Sequence, residues 1–182
     1  MKIYLAGPDV FLANAVEVGR RKQALCRRHG FEGLYPLEEG SAADGDARGI
    51  FRANRERMDR ADLGLFNLTP FRGPSADAGT VFELGYMFAA GKPVHGYAAT
   101  PQPYRARVSA ACGPLRRDGP VELDREGYVV EDFGLMDNLM IARAIAEAGG
   151  RFTAIAEDGA GALAAFAAFT CCLEQLKSEA GT

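Results

Sequence analysis

Short unbroken apolar runs alternate with helix-length amphipathic stretches along this chain, and that alternation constrains its fold more than any other feature. Ile3-Tyr4-Leu5-Ala6 is apolar at every position and stopped by Gly7-Pro8, as a strand covered on both faces requires. From about Asn14 to Arg28, Val16, Val18, Ala24, Leu25 and Cys26 recur among arginines and lysines, a helical pattern closed by Gly30. The pattern predicts a second strand over 31–37, an amphipathic helix over 50–60 and a third strand over 63–68. A helix over 78–90 stops at Gly91-Lys92-Pro93, and a fourth strand follows over 94–97. A helix over 135–148, a last short strand over 152–155 and an alanine-rich helix over 161–177 complete the series. Residues 98–128, broken by Pro101, Pro103, Pro114 and Pro120, read as an irregular excursion. Such a series implies an α/β fold, with right-handed crossovers placing helices on both faces of a parallel sheet. No repeat or linker divides the chain, so residues 1–182 are expected to form a single domain.

Composition narrows the functional classes. Hydrophobic residues make up 48% of the 182 and charged residues 25%, globular averages, and no apolar run approaches the roughly 20 residues of a membrane span. The first residues lack the apolar stretch of a signal peptide, which predicts a cytoplasmic, soluble protein. A net charge of -3 spread along the chain offers no basic footprint for nucleic acid, so a small-molecule partner is expected. Cys26, Cys112, Cys171 and Cys172 show no C-x-x-C spacing and read as reduced thiols. Cys26 and His29 could share a helix face, but no second pair completes a metal site, so no metal and no cofactor is assigned.

In a doubly wound sheet, ligands bind outside the carboxyl ends of the strands. Three loops should meet there: Gly7-Pro8-Asp9, the Gly- and Asp-rich stretch 38–49, and 69–77. The third runs into a helix carrying Asp77 and Glu83, which helical geometry separates by about 9 Å along the axis and about 120° around it. They can meet around a ligand but not each other. Glu83 stands among Val81, Phe82, Leu84, Gly85, Tyr86 and Met87, a costly setting for a carboxylate without a partner or a task. Tyr4 on the first strand is a candidate orienting donor, and a core aromatic is its other reading. Asp77 before Ala-Gly-Thr reads equally as an N-cap. Gly79 and Gly85 permit close approach. Asn54, Asp62, Asn67, Asp137 and Asn138 are common cap and turn types, and nothing in their local sequence separates structure from function. Phosphate-binding glycine patterns are absent, and Pro8 removes a donor where one would be wanted.

Taken together, Ile3-Tyr-Leu-Ala-Gly-Pro8, the segment from Asp62 to Gly73, Asp77-Ala-Gly-Thr-Val-Phe-Glu-Leu-Gly-Tyr86 and Met136-Asp-Asn138 resemble the nucleoside 2-deoxyribosyltransferase family, in order and in spacing. The likeness runs from residue 1 to about 145 and is most specific over 77–86. It implies a flavodoxin-like (Rossmann-like) three-layer sandwich with a mostly parallel five-stranded sheet. It also implies transfer of a 2-deoxyribosyl group between nucleobases through a covalent glycosyl-Glu83 intermediate, with slow hydrolysis when no acceptor base is present. Catalytic roles fall to Glu83 as nucleophile, Tyr4 as its orienting partner and Asp77 on the sugar hydroxyls. Gly7, Pro8, Asn54, Asp77, Gly79 and Asn138 are the implied substrate contacts, with Asn138 reaching a neighbouring site in a homo-oligomer. The implied partners are deoxynucleosides and free nucleobases. A carboxylate suits this chemistry because it can form a glycosyl ester that lasts until the next nucleophile arrives. Where members of the family place an acid near the base this chain has Asn54, and an amide donates no proton at neutral pH. Asp9, Glu38 and Glu39 are the candidate acids. Two other functions fit the same pattern: a 2'-deoxynucleoside 5'-monophosphate N-glycosidase, and a non-catalytic nucleotide-binding module.

Overall fold

The computed structural model describes residues 1–37, 46–159 and 161–180. The chain begins with β1 (Lys2–Ala6), a 3-10 turn over Pro8–Phe11, α1 (Ala15–Arg28) and β2 (Glu32–Leu34). Then come α2 (Ala47–Arg60), β3 (Leu63–Asn67), α3 (Ala78–Ala89) and β4 (Val94–Ala98). The excursion contains α4 (Tyr104–Cys112), β5 (Arg116–Asp118), β6 (Val121–Leu123) and β7 (Val129–Val130). After it follow α5 (Leu139–Glu147), β8 (Phe152–Ala154), a second 3-10 turn over Ala162–Ala164 and α6 (Phe166–Ala180).

Five strands form one parallel sheet in the order β2-β1-β3-β4-β8, the flavodoxin-like doubly wound arrangement. Alternation along β1 shows why its run is apolar throughout. Ile3 and Leu5 face a core with Cys26 of α1 and Phe169, Cys172 and Leu173 of α6. Tyr4 and Ala6 face the opposite core, with Met58 of α2, Leu84 and Met87 of α3, and Ile141 and Ile145 of α5. The sheet is therefore the middle of three layers.

Three departures from the sequence pattern have local causes. Residues 98–128 are not irregular: they hold α4, β5 and β6, the last two completed by β7 just beyond into an antiparallel β5-β6-β7 meander. These strands are two or three residues long, too short for a periodic signal. α2 starts at Ala47, three residues before the expected position, because Asp46 caps it by accepting from Gly49 N at 2.7 Å. The terminal helix is preceded by a break at Ala165, which is left-handed at φ 49°, and Glu157 accepts the amides of Ala167 and Ala168 at its start.

The excursion also supports the sheet's carboxyl end. Arg107 of α4 pairs with buried Asp137 at 3.2 Å. Asp137 in turn accepts Ser75 Oγ at 2.5 Å and Ala76 N at 3.1 Å, fixing the two residues that precede Asp77.

Candidate active site

A cavity of about 330 Å³ opens beyond the carboxyl ends of β1, β2 and β3. Gly7 contributes the floor next to β1, and a Cβ at that position would collide with the Asn67 and Asp9 side chains, so the close approach requires glycine. Val10, Phe11, Pro36, Leu37, Ile50 and Ala53 give an apolar wall. Ile50, Ala53, Asn54 and Arg57 form one stripe of α2, at i, i+3, i+4 and i+7. Asp77, Gly79, Thr80 and Glu83 of α3 close the other side.

Tyr4 serves two environments. Its ring packs edge-on to Phe66 with centroids 6.5 Å apart, and its hydroxyl donates to Glu83 Oε1 at 2.7 Å. Asn54 Nδ2 donates to the same oxygen at 3.4 Å, while Arg57 Nη1 donates to Asn54 Oδ1 at 3.3 Å. No hydrogen bond falls on Glu83 Oε2 among the described residues. Burial pushes the Glu83 carboxyl up to about 7; the nearby Asp77 charge adds to the rise, and the Tyr4 and Asn54 hydrogen bonds oppose it. Burial and the Glu83 carboxylate raise the Tyr4 phenol well above its ordinary value, with Arg57 opposing. Tyr4 therefore stays protonated near neutral pH and acts as a donor.

Asp77 caps α3, accepting Thr80 N at 2.9 Å and Thr80 Oγ1 at 3.1 Å, both on Oδ2. Its other oxygen takes no hydrogen bond among the described residues, so capping leaves an acceptor for a ligand.

Tyr4, Gly7, Asn54, Asp77, Gly79 and Glu83 thus come together at one place, and two of the sequence candidates stand apart. Pro8 is buried at the first position of a 3-10 turn and does not line the cavity; Gly7, Val10 and Phe11 do. Asn138 caps α5, with Oδ1 accepting from Met140 N at 3.0 Å and Nδ2 donating to Glu131 at 2.7 Å, away from this chain's cavity.

The candidate acids change as well. Asp9 is 1% exposed, accepts from Lys22 Nζ at 2.9 Å, Asn67 Nδ2 at 2.9 Å and Tyr35 OH at 3.2 Å, and does not line the cavity, so it braces the loop that carries Gly7. Lys22, whose ammonium burial depresses against the pull of Asp9, also donates to Tyr97 OH at 2.8 Å. Glu38 and Glu39 lie outside the described residues. Arg57 is the charged lining residue that sequence reasoning missed, along with Thr80 and the apolar wall. Its signal was the helical spacing from Asn54, hidden among the many charges of α2. Cys26 is a core residue and His29 Nδ1 pairs with Leu25 O, so the C-x-x-H spacing is structural. Among the described residues no group of three His, Cys, Asp or Glu could hold a metal ion, and no helix is long and apolar enough to cross a membrane.

A parallel doubly wound sheet with a half-buried carboxylate in a cavity at its carboxyl edge defines an α/β protein built to act on a small ligand. The chain belongs to the nucleoside 2-deoxyribosyltransferase family, whose model matches residues 3–140. It is similar to a 2-desoxiribosyltransferase from Leishmania mexicana, with 30% identity, 95% of this chain and 97% of that one covered, and a TM-score of 0.63. An uncharacterized protein of Schizosaccharomyces pombe is 34% identical over 166 residues, 81% of this chain and 78% of its own length. A conserved protein from Enterococcus faecalis, 20% identical with a TM-score of 0.53 over 97% of this chain and 98% of that chain, shares the fold.

Proposed function

We propose that this chain transfers a 2-deoxyribosyl group between nucleobases through a covalent ester on Glu83. The observation that carries the reading is a half-buried carboxylate with one oxygen held by Tyr4 and, among the described residues, no hydrogen bond on the other, facing a cavity that also presents Asp77. Glu83 Oε2 attacks C1', the C1'–N bond breaks, and its electron pair leaves with the base, which takes up a proton. In the second half, a nitrogen of an incoming base attacks C1', the ester C–O bond breaks, and the pair returns to Glu83. Two inversions restore the starting configuration, and water acting in place of a base gives slow hydrolysis.

Asp77, with its uncapped oxygen, binds sugar hydroxyls; Gly7 and Gly79 allow the sugar to approach the backbone. Asn54 and the apolar stripe of α2 contact the base. Asn138 reaches the site of a neighbouring subunit in a homo-oligomer; it does not line its own cavity, and Met140, two residues on, is exposed. Among the described lining residues, two carboxylates face one cation, Arg57, which is itself bonded to Asn54. That balance favours a neutral deoxynucleoside over a 5'-monophosphate.

Incubation with a slow 2-fluoro-deoxynucleoside followed by peptide mass spectrometry should place a sugar adduct on Glu83, and Glu83→Ala should abolish base exchange while keeping the fold. Unchanged turnover in that variant would sink the mechanism. A strong preference for monophosphates with indifference to added base would replace transfer by hydrolysis.

A further inference from the structure

The orientation of the Asn54 amide is set from both ends. A guanidinium carries only donors and a carboxylate only acceptors, so an amide bridging them has one satisfactory orientation, with its oxygen to Arg57 and its nitrogen to Glu83. The observed distances, 3.3 Å and 3.4 Å, match that arrangement. Turning the amide over would set NH₂ against guanidinium and C=O against carboxylate, two repulsions replacing two attractions. Arg57 is 7% exposed, on the same face of α2 as Asn54 and one turn further along, so it stands as a fixed wall of the cavity.

We propose that Arg57 is a positioning residue of the transfer reaction: by holding Asn54 Oδ1 it keeps the amide NH₂ on Glu83 Oε1 and leaves Oε2 as the attacking oxygen. The role deepens, and rests on, the reading of Glu83 as nucleophile. It gives Asn54 a second task besides meeting the base, and it assigns a function to a cation that no proton-transfer scheme can use, because arginine stays charged at working pH. Among the described residues, the charged and titratable groups facing Glu83 are Tyr4 from β1, Arg57 from α2 and Asp77 from the start of α3. Tyr4 and Asn54 favour the carboxylate and Asp77 disfavours it, so losing the Asn54 donor shifts the balance toward the protonated, non-nucleophilic form.

The test reads Glu83 directly. Glutamate carboxyl carbons labelled with ¹³C are titrated by NMR in the wild type, Arg57→Met and Arg57→Lys, with Glu83→Gln identifying the resonance; base release from a deoxynucleoside is followed across the same pH range. In folded Arg57→Met the Glu83 midpoint rises and the acid limb of base release moves with it. Release near pH 6 slows roughly threefold to tenfold, the scale of one hydrogen bond, with the deficit shrinking at alkaline pH. Arg57→Lys, which keeps a donor, recovers part of both. An unchanged midpoint in Arg57→Met, or an equal rise in Arg57→Lys, overturns the proposal. Should Arg57→Met fail to fold, Asn54→Ala must show the same rise, and an unshifted midpoint there overturns it equally. Wild-type protein that releases no base while the midpoints shift as expected would overturn the functional reading, and with it the role in transfer, leaving only the Arg57–Asn54–Glu83 hydrogen-bond relay.

Discussion

Glu83 and Tyr4 are 79 residues apart in sequence and 2.7 Å apart in space, and the properties of each depend on the other. The Glu83 carboxyl is raised from 4.5 to about 7, so its ionised fraction climbs through the neutral range. If the carboxylate is the nucleophile, kcat/KM for base release should rise with pH and level off above about 7, which a pH–rate profile on a single deoxynucleoside checks. The same shift has a consequence for stability. A folded pKa above the unfolded one means that the native state binds the proton more tightly, so the favourable contribution is complete below 4.5 and lost as pH rises through about 7. Glu83→Gln, which cannot ionise, should match the wild type near pH 3.5 and exceed it by about 3 kcal/mol near pH 8 in urea unfolding. A difference independent of pH would show that the Glu83 carboxyl is not raised in the folded chain.

The elements around the site are locked by buried polar contacts made between them. Lys22 of α1 and Asp9 of the 3-10 turn are each 1% exposed and joined at 2.9 Å, with Tyr97 of β4 and Tyr35 after β2 completing the cluster. Removing one partner strands the other charge in the core, so Asp9→Ala should destabilise the fold by about 3 to 5 kcal/mol, measured by denaturant unfolding. Double replacement of Asp9 and Lys22 by apolar residues should cost less than Asp9→Ala alone. Elements with a strong apolar pattern were legible in the sequence: β1, β3, β4 and the helices α1 and α3 lie within a residue or two of the expected ranges, whereas α5 begins at Leu139, four residues after the expected 135, and β2 spans only Glu32–Leu34 of the expected 31–37. β5, β6 and β7 were not legible, because two- and three-residue strands show no period, β5 is exposed throughout, and β6 and β7 are only partly buried.

On the scale of the whole molecule, the sheet divides two cores, and the cavity lies at the edge where three strand ends and two helices converge. Asn138 does not line that cavity, and Met140, whose amide it caps, is 71% exposed. If subunits share sites, mixing inactive Glu83→Ala chains with Asn138→Ala chains should restore activity, because some mixed sites then hold both intact residues. Absence of recovery after verified subunit exchange would make each site self-contained. The sequence by itself determined the layers, since the spacing of apolar residues dictates which elements form and which faces they must bury. It also marked Glu83, because a carboxylate among apolar neighbours is costly wherever the chain folds. Only the tertiary structure decided the partners: Tyr4 and Asn54 on Glu83, Arg57 behind Asn54, and Asp9 consumed by Lys22 and Asn67. The physical reason is that apolar burial follows a periodic pattern along the chain, whereas a buried polar group is satisfied by whatever donor or acceptor the fold brings within about 3 Å, at no fixed sequence distance.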